Sequence, residues 1–265
     1  MSLSAAGEAT VNSPESEQVA ALAAAADLRV ADLGLAPAAE PSGARSSTLD
    51  LLGSAAIRVF DVAVAAILLL VLLPLMVVVA IAVRIESPGP AFFRCERVGY
   101  RGRPLRMLKL RKMSDQALGV ALTTGQDVRL TRLGRRLAQL KIDEIPQLLH
   151  VLHGTMSLVG PRPEVAEFVG LHPDSYEEIL SVRPGITGLS QIAFAEECRI
   201  LDPDDPVSHY VSRILPQKVG LDELYVRRRS VAFNMRILYW TVVAVVMRRP
   251  VAVHRDSGRM NLRKR

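Results

Sequence analysis

The stretch VAVAAILLLVLLPLMVVVAIAV, residues 62–83, contains 22 consecutive apolar residues, with Pro74 near its middle. As an α-helix it would be about 33 Å long, which matches the thickness of the hydrocarbon core of a bilayer. The stretch therefore predicts a membrane-inserted helix. It is not typical of a cleaved signal peptide, because it begins only at residue 62 and no small-residue cleavage pattern follows it.

Pro74 leaves two topologies open for this helix. Proline donates no backbone hydrogen bond and its ring clashes with the carbonyl group of Leu70, so we expect a kink or a break. Prolines also occur in helices that cross bilayers. The run is thus consistent with a kinked helix that spans the bilayer and with a helix-break-helix hairpin that enters and leaves on one face.

Positive charge flanks the apolar run on both sides. Arg58 precedes it, Arg84 follows it, and eight further Arg and Lys residues lie between positions 94 and 112. By the positive-inside rule, the part of the chain that follows the run lies in the cytoplasm.

Composition narrows the class of protein. With 265 residues, 49% of them hydrophobic, the chain is long and apolar enough for a sizeable core. Its two cysteines, Cys95 and Cys198, exclude a disulfide framework and a Cys-x-x-Cys motif, and they predict a reducing compartment. Residues 1–50 carry two arginines against seven carboxylates, so the remainder of a chain of net charge +6 is strongly basic. A basic body predicts a polyanionic partner, which could be nucleic acid, an anionic membrane surface or a phosphorylated substrate.

We divide the chain into four parts and expect an α+β, mainly helical fold. Residues 1–50 are an acidic, Ala-rich leader that we expect to be disordered. Residues 51–85 form the membrane-inserted helix, residues 86–236 a cytosolic catalytic region at the membrane interface, and residues 237–265 an interfacial helix followed by a basic tail.

The region after the apolar run predicts a small strand and loop region and then amphipathic helices. Short strands are expected at 91–93 and 105–110, where Pro and Gly separate short apolar runs. Leucines recur at helical spacing between Leu130 and Leu140 with basic residues between them, which predicts a basic amphipathic helix. A second helix is expected to open near Asp143, because Asp is a good N-cap residue.

The C-terminal apolar segment Ile237–Met247 is too short to span a bilayer. It is expected to be an interfacial helix or a core helix on the membrane-facing side. The basic residues that follow it are expected to attract anionic lipid headgroups.

The adjacent acids Asp143 and Glu144 are the first candidates for chemistry, although acids at helix N-termini more often serve as capping residues. Four cations occur in or beside turns that contain Gly or Pro, a setting in which loops present cations to phosphates. They are Lys109, Arg111, Arg162 and Arg183. The motifs of P-loops, dinucleotide-binding loops and zinc proteases are absent from the sequence.

Three segments carry a resemblance to a known family. They are GRPLRMLKLRKM (102–113), LTRLGRRLAQLKIDEIPQLLHVLHGTMSLVGPRPE (130–164) and RPGITGLSQ (183–191). In order and length these motifs resemble the bacterial polyprenyl-phosphate glycosylphosphotransferases, which initiate capsule, exopolysaccharide and O-antigen synthesis. The resemblance extends over roughly residues 55–248.

The resemblance implies a mechanism. Asp143 would be a nucleophile that attacks the sugar-bearing phosphorus of a nucleoside diphosphate sugar, with UDP as the expected nucleotide. Undecaprenyl phosphate would then take the sugar phosphate from the resulting aspartyl intermediate. The family uses Mg²⁺, which implies that Asp143 and Glu144 hold this ion. The residues assigned to binding the substrate phosphates are Lys109, Arg111, Arg162 and Arg183.

The resemblance also bears on topology and specificity. It implies a re-entrant hairpin broken at Pro74, with both ends on the cytoplasmic face of the bacterial inner membrane, and a short form of the enzyme. The Ser-Pro pair of the family is Leu73-Pro74 here. Thr155, Asn234 and the IAFAEE segment also depart from the family pattern, which leaves the identity of the sugar undetermined.

Two non-catalytic alternatives remain. One is a basic membrane-anchored scaffold that binds anionic lipid or nucleic acid. Only 5% of the residues are aromatic and they do not interleave with the arginines, so we expect no nucleic-acid partner. The other is a degenerate transferase, which the intact Asp143-Glu144 pair disfavours. The sequence does not determine the oligomeric state.

Overall fold

The computed structural model describes residues 48–114, 122 and 127–263. The predicted leader, apart from its last three residues, lies outside the described part of the chain. Helix α1, Thr48–Glu86, is a single helix of 39 residues with Pro74 inside it. It is long and apolar enough to cross a membrane by length and composition. Proline removes one backbone hydrogen bond, and helical turns continue on both sides of Pro74, so no non-helical segment interrupts α1. The hairpin topology that the resemblance implies stays a prediction.

One face of α1 is covered by the rest of the protein along most of its length. The buried residues on this face are Ile57, Asp61, Ala65, Met76, Val79 and Val83. The remaining surface is apolar and open, with Leu70 75% exposed and Val78 63% exposed. A continuous apolar surface of this size is typical of a membrane-facing element.

The small strand region is confirmed. Strands β1, Phe92–Val98, and β2, Pro104–Leu110, form an antiparallel hairpin. The predicted basic helix is also confirmed as α2, Arg132–Leu140. Its N-cap is Thr131, whose hydroxyl accepts a hydrogen bond from the backbone N–H of Gly134 at 2.9 Å.

A helix opens near Asp143, as predicted, but its first turns are 3₁₀ and Asp143 is not its N-cap. Lys141 ends α2 in the left-handed conformation, with φ of 57°. The chain then forms a 3₁₀ helix, Ile142–Gln147, and helix α3 follows as Leu148–His153. Pro146 donates no backbone hydrogen bond, and the tight 3₁₀ turn turns Asp143 and Glu144 inward, where both are buried.

The second half of the domain is built from short helices around a two-stranded parallel sheet. Its strands are β3, Ser157–Val159, and β4, Gly185–Thr187. The helices, in chain order, are α4 (Ala166–Gly170), α5 (Pro173–Ile179), α6 (Leu189–Ala193), α7 (Glu197–Ile200), α8 (Pro206–His209) and α9 (Leu215–Arg228). A π-helical turn, Tyr210–Ile214, joins α8 to α9.

The C-terminal apolar segment begins earlier than its sequence predicts. Helix α10 is Val231–Thr241, and a π-helical turn, Val242–Val246, extends it. Ile237 is fully buried and Tyr239 is 63% exposed, so α10 has a core face and an open face.

The closing stretch is also more ordered than a basic tail. Strands β5, Val251–Val253, and β6, Met260–Leu262, form an antiparallel hairpin. Val251 and Met260 lie in the main core, which explains why this charged stretch is folded.

A small hydrophobic cluster joins the membrane helix to the region of the acidic pair. It contains Val79 and Val83 of α1, Leu110 of β2 and Leu137 of α2. Ile142, the neighbour of Asp143, packs against it. The position of Asp143 is therefore tied to the C-terminal half of α1.

Two glycines test the packing around the parallel sheet. A Cβ at Gly185 of β4 would overlap the backbone nitrogen of Gly160, whereas a Cβ at Gly220 of α9 would meet nothing within 4 Å. We expect Gly185→Ala to destabilise the protein by about 3 kcal/mol or more and Gly220→Ala to stabilise it by about 0.5–1 kcal/mol. Thermal unfolding followed by far-ultraviolet circular dichroism measures both, and equal unfolding temperatures would contradict the described sheet.

Candidate active site

Asp143 and Glu144 lie side by side in the 3₁₀ helix and are almost completely removed from solvent, with exposed fractions of 2% and 9%. Charged groups are buried at such a cost only when they are paired or serve a chemical purpose. Their immediate partners come from two other segments, strand β2 with the residues after it and the loop that follows β3.

Glu144 is held by two cations. The Nζ of Lys109 lies 3.1 Å from Oε1 of Glu144, and a guanidinium nitrogen of Arg162 lies 3.4 Å from the same oxygen. Burial alone would raise the pKa of Glu144, but the charges of Lys109 and Arg162 outweigh burial and hold that pKa well below its usual range. Glu144 is therefore ionised at neutral pH.

Asp143 has a different environment. Its Oδ2 lies 3.7 Å from Nζ of Lys112, and its Oδ1 is buried with no hydrogen-bond partner within the described part of the chain. Burial raises the pKa of Asp143 above its ordinary value, although the charge of Lys112 opposes this shift. A buried carboxylate oxygen without a partner is available to a ligand, and this is the feature that marks Asp143 as a candidate nucleophile.

Of the six residues that the sequence assigns to the site, the structure brings four together. Lys109 and Arg162 both pair with Glu144, and Asp143 is the neighbour of Glu144 in the 3₁₀ helix. Lys112, which the sequence analysis did not single out, joins them through Asp143. It adjoins the K-x-R motif, but spacing alone gave no sign that it faces the acidic pair.

Arg111 and Arg183 lie elsewhere. Both terminal nitrogens of Arg111 donate to backbone carbonyl groups, those of Pro88 and Ser87, at 2.6 Å each. The Nε of Arg183 donates to the carbonyl group of Gly154 at 2.8 Å, and its guanidinium lies over the ring of Tyr100. The structure places neither side chain in contact with Asp143 or Glu144.

The loop that carries Arg162 is fixed by a buried polar network. Glu164 accepts hydrogen bonds from the Tyr210 hydroxyl at 2.9 Å and from Nζ of Lys218 at 3.4 Å. Lys218 also lies 2.7 Å from Oε2 of Glu197. These groups come from α7, the π-helical turn and α9. They therefore tie the Arg162 loop to a second hydrophobic cluster, which contains Phe168, Tyr210 and Leu215.

Asp222 of α9 holds the backbone of the same loop. Its carboxylate accepts hydrogen bonds from the Ser190 hydroxyl at 2.7 Å and from the backbone N–H of Arg162. Burial raises its pKa to about 7, against the opposing effect of these hydrogen bonds. The sequence analysis assigned no role to Asp222, Ser190 or Glu164. The only sequence signal for this network is the PRPE segment, which contains Arg162 and Glu164.

The donors available for a divalent cation are the carboxylates of Asp143 and Glu144. Among the described residues, no group of three or more His, Cys, Asp or Glu side chains could hold a metal ion. Two adjacent carboxylates nevertheless match the sparse protein ligand set of Mg²⁺, which commonly retains water and binds substrate phosphates. The unpartnered Oδ1 of Asp143 fits such a ligand.

Comparison with known proteins identifies the family. The family model described as bacterial sugar transferase matches residues 52–248, and the chain therefore belongs to this family. The resemblance inferred from the sequence motifs is confirmed.

Three relatives give a measure of the similarity. The chain is 45% identical over 140 residues to the UDP-glucose:undecaprenyl-phosphate glucose-1-phosphate transferase of Caulobacter vibrioides, a match that covers 51% of this chain and 52% of that protein. It is 41% identical over 190 residues to the uncharacterized sugar transferase EpsL of Bacillus subtilis, with 72% and 87% covered. It is 35% identical over 203 residues to the exopolysaccharide production protein PSS of Rhizobium leguminosarum, with 72% and 95% covered. The chain thus spans about half the length of the Caulobacter protein.

The pKa of Asp222 gives a pH-dependent prediction. Because that pKa is raised from 3.8 to about 7, the folded state holds the Asp222 proton more tightly than the unfolded state. The contribution to stability is complete at low pH and is lost as the pH rises toward about 7. We expect the unfolding temperature of Asp222→Asn to increase relative to that of the unsubstituted protein between about pH 4 and about pH 7 and to level off at higher pH. A difference that stays constant with pH would contradict the raised pKa.

Proposed function

We propose that the protein transfers a sugar 1-phosphate from a nucleoside diphosphate sugar to undecaprenyl phosphate, as the first membrane step of polysaccharide synthesis. The observation that carries this proposal is the buried Asp143 carboxylate, with its unpartnered Oδ1, beside the Glu144, Lys109 and Arg162 cluster. The Caulobacter relative carries the name of a transferase with UDP-glucose and undecaprenyl phosphate as substrates. We extend this class of reaction, with UDP as the expected nucleotide, to the present chain.

In the first half-reaction, an oxygen of the Asp143 carboxylate forms a bond to the phosphorus that carries the sugar. The bond from this phosphorus to the bridging oxygen of the diphosphate breaks, and the electron pair leaves with the nucleoside monophosphate. The product is an acyl phosphate in which Asp143 carries the sugar phosphate.

In the second half-reaction, a phosphate oxygen of undecaprenyl phosphate attacks the same phosphorus. The bond to Asp143 breaks and its carboxylate is regenerated, so the two half-reactions share one site and one nucleophile. Such a reaction has ping-pong kinetics.

The cations of the cluster make the approach of a carboxylate to a diphosphate possible. The two carboxylates of the site form ion pairs with three cations, Lys109, Lys112 and Arg162. We assign Lys109 and Arg162 to the substrate phosphates, because both are already held at the acidic pair by Glu144. Charge held in place before the substrate arrives stabilises the transition state without reorganisation.

We further propose that Asp143 and Glu144 hold Mg²⁺. The bound ion would neutralise negative charge on the diphosphate. The role of Glu144 is then to keep Lys109 and Arg162 in place and to supply a second carboxylate to the cation.

We propose that α1 bends at Pro74 within the cytoplasmic leaflet, where the proline removes a backbone hydrogen bond, so that both ends of the helix lie on the same face. Near its start, Arg58 donates to the carbonyl groups of Leu152 and Met156, and the hydroxyl of Ser157 donates to Asp61. At its end, Glu86 accepts a hydrogen bond from the backbone N–H of Leu133 at 2.9 Å. Both ends of α1 are thus bound to the domain that carries the site, which supports a location of both ends on the cytoplasmic face of the inner membrane.

Substitution of the acidic pair tests the chemistry. We expect Asp143→Asn to reduce transfer by a factor on the order of 10³ or more and to abolish the covalent sugar phosphate adduct, because an amide cannot act as the nucleophile. Glu144→Gln should reduce transfer by a factor on the order of 10², because Lys109 and Arg162 lose their shared partner. Release of nucleoside monophosphate from a panel of nucleoside diphosphate sugars, and radiolabel retained on the protein, measure both effects. Full turnover by Asp143→Asn would refute the nucleophile assignment.

Cysteine labelling tests the topology. In a background with Cys95→Ser and Cys198→Ser, single cysteines are introduced as Ala55→Cys and Ile85→Cys, both at exposed positions of α1. We expect a membrane-impermeant maleimide to label both positions in inverted vesicles and neither in intact spheroplasts. Labelling of Ala55→Cys in spheroplasts would establish a helix that crosses the membrane.

A further inference from the structure

An open groove lies along the C-terminal half of α1, on the flank of the helix. One wall is formed by α1, with Val77, Ala80 and Ile81, and the other by the segment Pro90–Phe92. The volume is about 450 Å³, within the range of sites that bind small molecules. Arg84 is the only charged residue that lines it in the described part of the chain.

The outer wall of the groove is held in place by Arg111. Its side chain donates to the carbonyl groups of Ser87 and Pro88 at 2.6 Å each, and its backbone N–H donates to the carbonyl group of Ala91 at 2.8 Å. Three hydrogen bonds thus connect the end of β2 to the turn between α1 and β1. The outer wall of the groove is therefore fixed by hydrogen bonds to the end of β2.

Two contacts connect the wall of the groove to the segment of the acidic pair. Phe92, in the outer wall, pairs with Leu110 of β2, which directly follows Lys109. Leu110 also packs with Val83 in the cluster against which Ile142 lies, and Ile142 precedes Asp143. Leu110 and this cluster thus connect the wall of the groove to the segment that carries Asp143.

We propose that this groove binds the isoprenoid chain of the polyprenyl phosphate acceptor next to its phosphate, and that Arg84 receives the phosphate as the lipid arrives. The inference rests on the proposed function and specifies where its lipid substrate binds. A lipid phosphate combines an apolar chain with an anionic end, and the groove combines apolar walls with one cation at its end. Arg84 follows directly on the apolar run, so it lies where a helix leaves the hydrocarbon core, and long basic side chains extend to the headgroups there.

The geometry also predicts how chain length affects the reaction. With the phosphate at Arg84, the first isoprene units run along Ala80 and Val77 toward the centre of α1. An acceptor with a single isoprene unit is too short to fill the groove. Only long acceptors gain affinity from it, and they gain it in the second half-reaction.

Two neighbouring valines supply a matched pair of variants. Val77 lines the groove, whereas Val78 does not and is 63% exposed on the open face of α1. Val77→Phe places a ring in the groove, and Val78→Phe adds the same ring to the open surface. We expect Val77→Phe to raise the KM for undecaprenyl phosphate by a factor on the order of ten relative to the KM for a single-isoprene phosphate, and Val78→Phe to leave this ratio unchanged. Equal ratios in the two variants would overturn the proposal.

Photolabelling gives a readout that does not depend on turnover. A polyprenyl phosphate with a photoreactive group near its phosphate end should label the region 76–92 in the unsubstituted protein and in Val78→Phe, with a several-fold loss in Val77→Phe. If excess phosphatidylglycerol reduces the labelling as much as excess undecaprenyl phosphate does, the groove binds lipid acyl chains in general, and the assignment is overturned. Labelling outside residues 76–92 would also overturn it.

Failure of the groove and failure of the proposed function are distinguishable. If the unsubstituted protein releases no nucleoside monophosphate with any donor, the proposed function fails, whereas the labelling result still reports on the groove. Unfolding temperatures of Val77→Phe and Val78→Phe that match within error exclude a folding defect. If Val77→Phe is active and its ratio of the two KM values is the same as in the unsubstituted protein, the groove proposal is refuted and the proposed function is not.

Discussion

The carboxylate of Glu144 is the point at which three separate segments of the chain meet. Its Oε1 is shared by Lys109 from strand β2 and Arg162 from the loop after β3, and Glu144 itself belongs to the 3₁₀ helix between α2 and α3. Removing one partner from a buried ion pair typically costs about 3–5 kcal/mol, because the other charge is left buried without compensation. This arrangement therefore fixes the position of Asp143, and the chemistry proposed for Asp143 depends on it.

The same cluster is supported from two directions. On one side, Asp222 accepts a hydrogen bond from the backbone N–H of Arg162, and Glu164, at the end of the same loop, accepts one from Tyr210. On the other side, Val83 and Leu110 place the 3₁₀ helix against α1. In the proposed membrane location of α1, this second contact sets the depth of the site relative to the lipid surface. The proposed soluble donor and lipid acceptor can then meet at one carboxylate.

Much of the fold was accessible from local patterns. The apolar run at 62–83 predicted α1, the leucine spacing predicted α2, and the Pro- and Gly-separated runs predicted short strands in the region of β1 and β2. The antiparallel pairing of these two strands was not predicted. The C-terminal β5–β6 hairpin was missed, because its charged sequence indicates a solvated tail and only its contacts with the main core fold it. A helix was expected near Asp143, but its start at Ile142 as a 3₁₀ helix was not, because the left-handed turn at Lys141 carries no sequence signal such as glycine.

The sequence by itself determined which segments are apolar, which helix is amphipathic and which two acids are adjacent, because these properties depend on residues near one another in the chain. Only the tertiary structure decided which cations reach the acids. Lys109 and Arg111 form one motif, yet β2 ends at Leu110, so the alternation of side chains stops there. Lys109 and Lys112 lie on the acidic pair, while Arg111 holds the turn after α1. Beyond the end of a strand, packing against segments that are distant in the chain sets the direction of a side chain. Local sequence does not determine these contacts.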